Sequence, residues 1–510
     1  MSKERDKSTQ FILSVVFSLV AVAINYGISF VLTSYITEHM GTEAYGFVSL
    51  AKIVANYGSI ATVALNSFAA RYITVEYHKG NFDKANQYYS SVFIADVVIG
   101  FVLFTLFAIV ILFLDNIISI PTELISDVRR LFFLDVVNFL IASTGTVFMV
   151  ATTITNRLEL AGIIKSASYL LEAVFLWVAY TLFPAELAFV GLGLIISTVS
   201  MMVCNYVITN KMTPELKIKR VSYSKPAVFE LLKAGIWNSV NSLGNLLQSG
   251  LDLLISNIML SPFQSGQLAI VKTVSTIFST LFQLIAQPFQ PLQLKYYALG
   301  DKTRLIDSFM IAMKIDGLFS NLLFAGFAVF GRAFFKLWVP TEDSTILYGI
   351  TLVTIVGTLT EGATYPLFYA YTLTVKNKIP CYVTLLTGFM NVAGMYILIK
   401  YFNAGLYAVV GTTAVISILG NYIFTPLYTS HCMNISKWAF YPPIIRHTIS
   451  AAVITGVFFL VSRIITPASW LGLIGIGIAG SIVGSIIHCL IVFNHKDWQL
   501  ATNKLLRRKA

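Results

Sequence analysis

The sequence predicts an all-α polytopic membrane protein of about 14 transmembrane helices, with two six-helix lobes related by a parallel internal repeat and two further C-terminal helices. Two observations of composition support this fold class: 56% of the 510 residues are hydrophobic and only 12% are charged. A soluble chain of this length would divide into several cores and carry about a quarter charged residues. A third observation predicts the two lobes: the chain is self-similar, without a gap, when Asn25 is aligned with Asn245.

Charged or Pro/Gly-rich breaks divide the chain into fourteen candidate spans. The first apolar stretch, from Ser8 to Thr37, carries no charge along its whole length. It is too long for a signal-peptide core, so we expect it to be retained as a span. Numbered in chain order, spans 1 to 14 are predicted at residues 10–37, 44–72, 87–114, 125–150, 161–183, 186–209, 227–259, 264–294, 303–331, 343–372, 377–400, 404–429, 441–465 and 468–493.

The distribution of basic residues predicts how these spans cross the membrane. With the N-terminus inside, 27 of the 35 Lys and Arg residues lie in or beside cytoplasmic segments and six lie beside external ones. This asymmetry satisfies the positive-inside rule and places both termini in the cytoplasm. It also accounts for the net charge of +11 without a nucleic-acid partner. The predicted domains are an N-lobe at 1–215 (spans 1–6), a C-lobe at 216–432 (spans 7–12) and a segment at 433–510 with spans 13 and 14 and a basic cytoplasmic tail.

The repeat matches polar residues inside apolar segments, where such residues are rare and usually functional. In this alignment 13 of the 84 positions from 25 to 108 are identical to their counterparts, so chance explains part of the match. Many secondary transporters build two lobes around a midplane site from such a repeat, so we predict a two-lobed transporter. The matched polar and glycine pairs include Asn25/Asn245, Ser29/Ser249, Gly46/Gly266, Lys52/Lys272, Gly80/Gly300 and Asp96/Asp316.

Sequence motifs for catalysis or metal binding are missing. The four cysteines and six histidines show no ligand spacing, and Gly266 before Lys272 lacks the second glycine of a phosphate loop. External loops are short, the longest lying near Gly331 to Asp343. A membrane glycosyl polymerase is expected to need a larger external loop with acid/base carboxylates. We therefore predict a protein that is not an enzyme and that holds neither a cofactor nor a metal.

Polar residues form stripes on spans 1, 2, 7 and 8, at steps of three and four that place them on one helix face. One interpretation is hydrogen bonding between helices, which is worth about 1 kcal/mol or less per contact. We favour a shared hydrated cavity, because four aligned stripes include two lysines. The stripes are Ser14, Ser18, Asn25 and Ser29; Lys52, Asn56, Ser59, Thr62 and Asn66; Asn238, Asn241, Asn245, Gln248, Ser249 and Asp252; and Lys272, Thr276, Ser279, Gln283, Gln287 and Gln290.

The two lysines are predicted to face inward. Each lies eight or nine residues past the start of its span, about 12–14 Å below the outer surface. An ammonium facing lipid at that depth would cost several kcal/mol or would snorkel outward. Lys272 has a candidate partner in Asp252, whereas the position equivalent to Asp252 in the first repeat is Leu32. Lys52 is therefore the best candidate for contact with an anionic ligand, and a link from Lys52 to Asp252 is the competing interpretation.

Three further charged residues are candidates for gating or ion coupling. Asp96 and Asp316 lie about nine residues inside the cytoplasmic ends of spans 3 and 9, and either could carry a coupling proton or cation or form a buried pair with a base such as Lys314. Arg71 closes span 2 on the cytoplasmic side, as a gate for an anion or as ordinary positive-inside charge. Glu361 in span 10 has no partner that the sequence identifies. Pro288 and Pro291 predict a bend in span 8.

These residues together resemble a known family. The two lobes, the Gly41–Gly46 turn into span 2, Arg71 at its far end and the Lys79-Gly80-Asn81 loop are similar to polysaccharide exporters of the MATE-like (multidrug/oligosaccharidyl-lipid/polysaccharide) superfamily. The similarity is greatest to Wzx-type flippases for lipid-linked oligosaccharides. It covers nearly the whole chain, but its motifs are less specific than a metal or nucleotide signature.

The resemblance implies a function as well as a fold. Spans 1, 2, 7 and 8 would line a central cavity between lobes that alternate between inward-open and outward-open states. The cargo would be undecaprenyl pyrophosphate bearing a sugar repeat unit, and the location the bacterial plasma (inner) membrane. Lys52 and Lys272 occupy the places of cavity-facing basic residues in related lipid II flippases, whereas Asp252 departs from a purely cationic cavity. Coupling to H⁺ or Na⁺ and to membrane potential is an expectation, as are contacts with membrane lipids and other polysaccharide assembly proteins.

Four alternatives remain open at this stage. A lipid II flippase has the same features, and a cation-coupled multidrug exporter has the same fold but usually an acidic cavity. A polymerase is disfavoured by the short loops, and a scaffold would need no polar cavity. Spans 13 and 14 are expected either to border a groove for the lipid tail or to pack as a plain pair through Gly480 and Gly484.

Overall fold

The computed structural model describes residues 7–494, and helices joined by short turns make up that part of the chain, without a strand. Thirteen of the described helices or continuous helical segments are long and apolar enough to cross a membrane. The remaining predicted span, 227–259, is helical but interrupted. The predicted fold class is therefore confirmed. The side chains of Ser14 and Ser18 and the basic tail after residue 494 lie outside the described residues.

The helices follow the predicted spans closely. Those of the first repeat are α1 Lys7–His39, α2 Thr42–His78, α3 Phe82–Leu112, α4 Leu114–Ile117, α5 Ile125–Gly145, α6 Val150–Ile154, α7 Leu158–Leu182 and α8 Ala188–Met212. The remaining helices are α9 Lys225–Asn245, α10 Asp252–Met259, α11 Pro262–Ala286, α12 Gln290–Ala298, α13 Lys302–Trp338, α14 Ser344–Thr364, α15 Tyr369–Leu373, α16 Lys378–Phe402, α17 Gly405–Leu419, α18 Thr425–Met433, α19 Tyr441–Ser462 and α20 Trp470–Val492.

Short irregular turns interrupt five of the spans without ending them. A π-turn at Leu246–Gly250 separates α9 from α10, and a second at Gly420–Phe424 separates α17 from α18. A 3₁₀ turn at Gln287–Phe289 separates α11 from α12, at the position where the two prolines predicted a bend. Two further 3₁₀ turns, Thr146–Met149 and Tyr365–Phe368, occupy equivalent places in the two repeats. Such turns mark positions where a helix can bend.

The internal repeat is visible in the backbone and not only in residue identities. Gly80 and Gly300 both take a positive φ, at 76° and 69°, in the turns that lead into α3 and α13. The next residues, Asn81 and Asp301, each cap their helix by accepting a hydrogen bond from the backbone N–H three positions later. Equivalent turns with equivalent caps, separated by the same number of residues, are local evidence of duplication. They start α3 and α13 with the same geometry.

Residue packing divides the described chain into two compact units. Unit 1 contains the chain up to Ala269 together with Cys381–Val392, and unit 2 contains Ile270–Pro380 and the chain from Ala393. The boundaries fall inside α11 and α16, because α9 and α10 pack with the first repeat. These units describe packing rather than duplication, so the predicted lobe boundaries near residues 215 and 432 stay a prediction.

In unit 1 an apolar core joins α2, α3, α6 and α9. Its buried residues include Leu65, Tyr88, Val92, Val150 and Leu231. The connection between the two repeats, residues 213–224, lies along α3 and is held by the side chains of that helix. Asn86, Ser90 and Ser91 exchange hydrogen bonds with backbone groups of this connection. The polar backbone of the connection is thereby satisfied without regular secondary structure along most of its length.

In unit 2 the C-terminal helix α20 is attached to α13 and α19 by glycines and by a buried polar network. Gly480 packs against Phe458, and Gly484 packs against Leu322. His488 donates from Nε2 to the carbonyl of Lys314, which leaves Nδ1 to accept from Asn321 and Ser450 at 3.1 and 3.2 Å. The predicted close contact through the two glycines is therefore present.

The glycine contact makes a testable prediction. Gly484→Ile places a side chain against Leu322 and Ile454, where a Cβ already has no room, and should destabilise the protein by about 1–3 kcal/mol. Gly477→Ile is the matched control, because nothing lies within 4 Å of a Cβ at that position of the same helix. Thermal unfolding of the two purified variants measures the difference, and equal midpoints would contradict the packing argument.

Candidate functional site

Lys52 lies on α2 at the level where that helix approaches α5. It is ten residues into the helix, and its side chain is half-buried. Six residues further, Gly58 allows the close approach, because a Cβ there would lie 2.8 Å from Phe139 Cζ of α5. Phe139 is in turn four residues beyond Asp135. The second and fourth spans run in the same direction, so Lys52 and Asp135 lie at similar depth.

Two buried acids share the electrostatic environment of Lys52. The charge of Lys52 acts on the carboxyl groups of Asp135 on α5 and of Glu172 on α7. Their side chains are 3% and 4% exposed, and one oxygen of each accepts no hydrogen bond within the described residues. The sequence comparison found Leu32, and hence no acid, opposite Lys52 in its own helical hairpin, but it did not extend to α5 and α7. Lys52 is therefore a counter-charged cation rather than an isolated one.

A sequence signal for these acids existed. Asp135 and Glu172 are acidic residues inside predicted spans 4 and 5, and such residues are functional candidates by default. Matches between the repeats do not reveal them. Alignment of the equivalent helices pairs Asp135 of α5 with Thr354 of α14, and Glu172 of α7 with Val392 of α16, so neither acid has an acidic repeat partner.

Helices α2 and α9 pack directly against each other along part of their length. Ser239 donates a hydrogen bond to the carbonyl of Ile60 at 2.8 Å. Tyr57 donates to the carbonyl of Gly250 at 3.0 Å. Gly235 lies so close to the carbonyl of Ala64 that a Cβ could not be accommodated. Ser239 and Tyr57, which bond between the helices here, are not members of the stripes, so both interpretations of the stripes stay predictions.

The predicted site residues differ in how far they are exposed at the surface of the helices. The shared hydrated cavity stays a prediction, because exposure alone does not distinguish a cavity from lipid. Asn56, Asn245, Gln283 and Arg71 are exposed; Lys52, Lys272, Asn25, Gln248 and Ser279 are half-buried; and Asp96, Asp252 and Asp316 are buried.

Asp252 and Lys272 belong to separate compact units. Asp252, in unit 1, is 5% exposed and acts electrostatically on Tyr57 of α2. Lys272 lies just inside unit 2, within one helical turn of the unit boundary in α11. The proposed Asp252–Lys272 pair and the alternative Lys52–Asp252 link both stay predictions.

Asp96 is fully buried and is satisfied by neutral side chains. Asn66 of α2 donates to its Oδ1 at 3.0 Å, and Thr146 donates to its Oδ2 at 3.2 Å. Asn66 is a member of the α2 stripe, and this contact directs it to α3. Within the described part of the chain, hydrogen bonds from neutral donors, and not a salt bridge to a base, therefore hold this aspartate in place.

Asp316 has a different environment from its repeat equivalent. It is fully buried in unit 2, and neither of its carboxyl oxygens accepts a hydrogen bond within the described residues. Glu361 of α14 acts on it electrostatically and accepts a hydrogen bond from Ser279 at 2.7 Å. The structure thus gives Glu361 the partners that the sequence did not identify. The Lys314 ammonium lies over the Phe493 ring, 5.9 Å from its centroid.

The repeat-related glycines meet each other. A Cβ at Gly46 of α2 would lie 2.9 Å from the Cα of Gly266 of α11, and Gly266 packs against the carbonyl of Thr42. Nearby, Asn257 of α10 binds the backbone of Ser119 twice, accepting from its N–H at 2.9 Å and donating to its carbonyl at 3.2 Å. The starts of the second and eighth spans are therefore in backbone contact within unit 1, at the end where α10 attaches to the 118–124 loop.

Comparison with solved structures shows which fold the chain has. The fold is similar to a lipid II flippase, MurJ, in an inward closed conformation, with a TM-score of 0.65 and 13% identity over 94% of this chain and 98% of that one. It is also similar to an inward-facing multidrug resistance MATE family transporter of the MOP superfamily, with a TM-score of 0.60 and 15% identity over 83% and 96%. The chain has the MATE/MurJ-type fold, and these similar structures are transporters and flippases rather than enzymes.

A further similar structure is the MATE multidrug transporter DinF-BH in a ligand complex, with a TM-score of 0.60 and 17% identity over 86% of this chain and 100% of that one. Among curated proteins the chain is 29% identical over 501 residues to a Bacillus subtilis (strain 168) protein described as uncharacterized membrane protein EpsK. The alignment covers 98% of this chain and 99% of the relative. No protein-family model matches the sequence.

The hydrogen bonds to Asp96 make a prediction that can be tested by comparing two asparagines of the α2 stripe. Asn66→Ala removes one donor from a fully buried carboxyl group and should destabilise the protein by about 1–3 kcal/mol. Asn56→Ala removes an exposed amide from the same stripe and should change stability little. Thermal unfolding of the purified variants is the measurement, and an equal loss in both would show that the Asn66–Asp96 bond does not stabilise the fold.

Proposed function

We propose that this protein is a flippase that moves an undecaprenyl-pyrophosphate-linked oligosaccharide repeat unit from the cytoplasmic to the outer leaflet by alternating access. Its product would supply capsule, exopolysaccharide or O-antigen synthesis. The observation that carries the proposal is a half-buried lysine, Lys52, deep in α2 of a MATE/MurJ-type fold. A retained cation at that depth suits an anionic cargo better than a cationic drug.

The chemistry of such a cargo matches the distribution of polar residues. A diphosphate needs cationic hydrogen-bond donors, which Lys52 supplies and to which Lys272 would add. The sugars need amides and hydroxyls, and the exposed Asn56, Asn245 and Gln283 offer amides. The polyprenyl tail needs no protein contact, because it can remain in the bilayer. A cytoplasm-negative potential would favour outward movement of the anion by about 2.3 kcal/mol per charge per 100 mV.

Ion coupling would then return the empty carrier. Of the two repeat-related aspartates, Asp316 suits a coupling H⁺ or Na⁺ better than Asp96. Asp96 already accepts two hydrogen bonds, whereas Asp316 accepts none within the described residues and lies beside a second acid. A buried carboxyl group without donors is stabilised by taking up a proton or a cation.

The placement in the cell follows from charge. We propose that the protein spans the bacterial plasma membrane with both termini in the cytoplasm, because 27 of its 35 basic residues then lie on the cytoplasmic side. Other polysaccharide assembly proteins would be partners on the external side, where the cargo is delivered. In this orientation the starts of α2 and α11 lie at the external side.

A lipid II flippase is the second candidate. The lipid II flippase MurJ has the highest TM-score of the three structures compared above, and its cargo has the same diphosphate and polyprenyl parts. The two cargoes differ in the group attached to the diphosphate, which Lys52 would not sense. Complementation of strains lacking either flippase separates the two candidates.

Lys52 provides the direct test of the proposed site. Lys52→Gln should abolish export of lipid-linked oligosaccharide, because it removes the charge that binds the diphosphate, while the protein level in the membrane stays unchanged. Lys400→Gln is the control, since Lys400 is exposed near the end of α16. Polysaccharide production in a flippase-deficient bacterium measures export. Near-normal production by Lys52→Gln would remove Lys52 from the binding site.

Alternating access makes a prediction about the Gly46–Gly266 contact. In the proposed orientation this contact closes the external side, and Gly266→Val would prevent it from forming because the carbonyl of Thr42 lies against Gly266. The variant should populate outward-open states and export poorly. Gly27→Val is the control, because nothing lies within 4 Å of a Cβ there.

The measurement is labelling by a membrane-impermeant thiol reagent applied from outside. In a background without native cysteines, Asn56→Cys on the exposed part of the α2 stripe should react several-fold faster when Gly266 is replaced by valine than when Gly27 is replaced. Equal rates would contradict a gating role for this contact.

A further inference from the structure

The cluster formed by Lys52, Asp135 and Glu172 holds two acids for one base. Each residue comes from a different helix of unit 1: α2, α5 and α7. Both acids are almost completely buried, and one oxygen of each accepts no hydrogen bond among the described residues. The charge of Lys52 acts on both. We refer to these three residues as the Lys52 cluster.

Helix packing places the members of the Lys52 cluster at one level, independently of the electrostatics. On α8, Gly191 packs against Leu134, the neighbour of Asp135, and a Cβ added at Gly191 would lie 2.6 Å from the Cβ of Leu134. Two residues further, a Cβ at Gly193 would lie 3.4 Å from Cγ of Glu172. A single short stretch of α8 thus contacts the surroundings of both acids. The close approach of α2 to α5 at Gly58 places Lys52 and Asp135 at similar depth.

Few other titratable groups face this cluster. On α7, Tyr169 interacts electrostatically with Glu172 and with Tyr26 of α1. On α8 the polar group near the cluster is the Ser197 hydroxyl, which donates a hydrogen bond to Glu172. A second cation of α7, Lys165, has its ammonium over the Tyr169 ring, 5.9 Å from the centroid, but Lys165 is exposed and lies two helical turns from Glu172.

The charged groups on the other neighbouring helices are engaged elsewhere. On α3, Asp96 accepts from Asn66 and Thr146. On α9, Glu230 accepts a hydrogen bond of 2.6 Å from Tyr88. The charge balance of the Lys52 cluster is therefore set by its own three members.

Charge balance in a low-dielectric site determines the protonation of the cluster. With all three groups ionised the cluster carries one net negative charge, and burial makes an uncompensated charge costly. The neutral arrangement is a charged Lys52, one carboxylate and one carboxylic acid. When an anionic diphosphate takes the ammonium as its partner, the remaining carboxylate loses its counter-charge. A second proton on that carboxylate restores the balance.

We propose that Asp135 and Glu172 form a proton-binding pair linked to the anion site at Lys52, so that a bound diphosphate and a bound proton stabilise each other. The proton adds to a carboxylate oxygen of Asp135 or Glu172, while Lys52 keeps its own proton and donates hydrogen bonds to the phosphate. Loading then takes up one proton, and release of the cargo returns it. This inference rests on the proposed function for the identity of the anion but not for the existence of the proton pair.

The proton pair can be tested without a ligand. Infrared difference spectra of the full-length protein in lipid nanodiscs, recorded between about pH 5 and pH 9, report protonated carboxyl groups through their C=O stretch. The double variant Asp135→Asn/Glu172→Gln should lose the band of one carboxylic acid. Lys52→Met should gain the band of a second, because removal of the cation leaves both acids without a counter-charge. Spectra identical to wild type in both variants would overturn the inference.

The linkage is tested with undecaprenyl pyrophosphate as the probe. Binding to the nanodisc-embedded protein should weaken by up to about tenfold per pH unit in the range where the pair loses its proton, since one proton is bound with each anion. Asp135→Asn/Glu172→Gln should bind with an affinity that no longer depends on that proton. Glu186→Gln is the matched control, because Glu186 is an acid at the protein surface, paired with Arg130, and should keep the wild-type slope.

The outcomes separate the inference from the proposed function. One outcome is an affinity of wild type that depends on pH only through the titration of the probe itself, with the same slope of affinity against pH in the double variant. That result would overturn the linkage and leave the flippase function intact. Failure of wild type to bind the probe at any pH would contradict the proposed function, and the infrared bands would still decide whether the proton pair exists.

Discussion

The structure depends on one constraint: a charge placed at membrane depth must have a partner inside the protein. Lys52 meets this constraint through Asp135 and Glu172, which come from two other helices of the same unit. Asp96 meets it through neutral donors, whereas Asp316, which lies near a second acid, Glu361, accepts no hydrogen bond within the described residues. The interactions of Lys52 and Asp96 fix the relative positions of several helices. The residues that hold the bundle together are therefore also those able to respond to an ion or a charged cargo.

Much of the fold could be predicted from the sequence, because apolar spans and their breaks are local properties. The duplicated turns at Gly80 and Gly300 and the proline break at Gln287–Phe289 are of this kind. The acids beside Lys52 were missed because contact between helices distant in sequence leaves no periodic signal. Their lack of counterparts in the second repeat removed the one pattern that would have drawn attention to them. The packing of α9 on α2 was likewise hidden, since polar residues that bond between helices look the same in sequence as residues that line water.

Duplication also explains the contact at the starts of α2 and α11. In a parallel repeat, equivalent residues of the two halves can meet where the halves come together. Gly46 and Gly266 do so backbone to backbone, which only residues without a side chain allow. By contrast, the interior charges have diverged: Lys52 is accompanied by acids that have no repeat equivalents. In the proposed mechanism the repeated scaffold carries the movement, while chemistry specific to each half carries binding and coupling.

The central claim, that the protein flips a lipid-linked anion, is tested most directly by reconstitution. Purified protein in liposomes should move a fluorescent undecaprenyl-pyrophosphate-linked oligosaccharide between leaflets, made visible by a quencher that reaches only one leaflet. We expect translocation that responds to the sign of an imposed membrane potential. Liposomes that instead accumulate a cationic dye, and leave the lipid-linked oligosaccharide in its original leaflet, would contradict it.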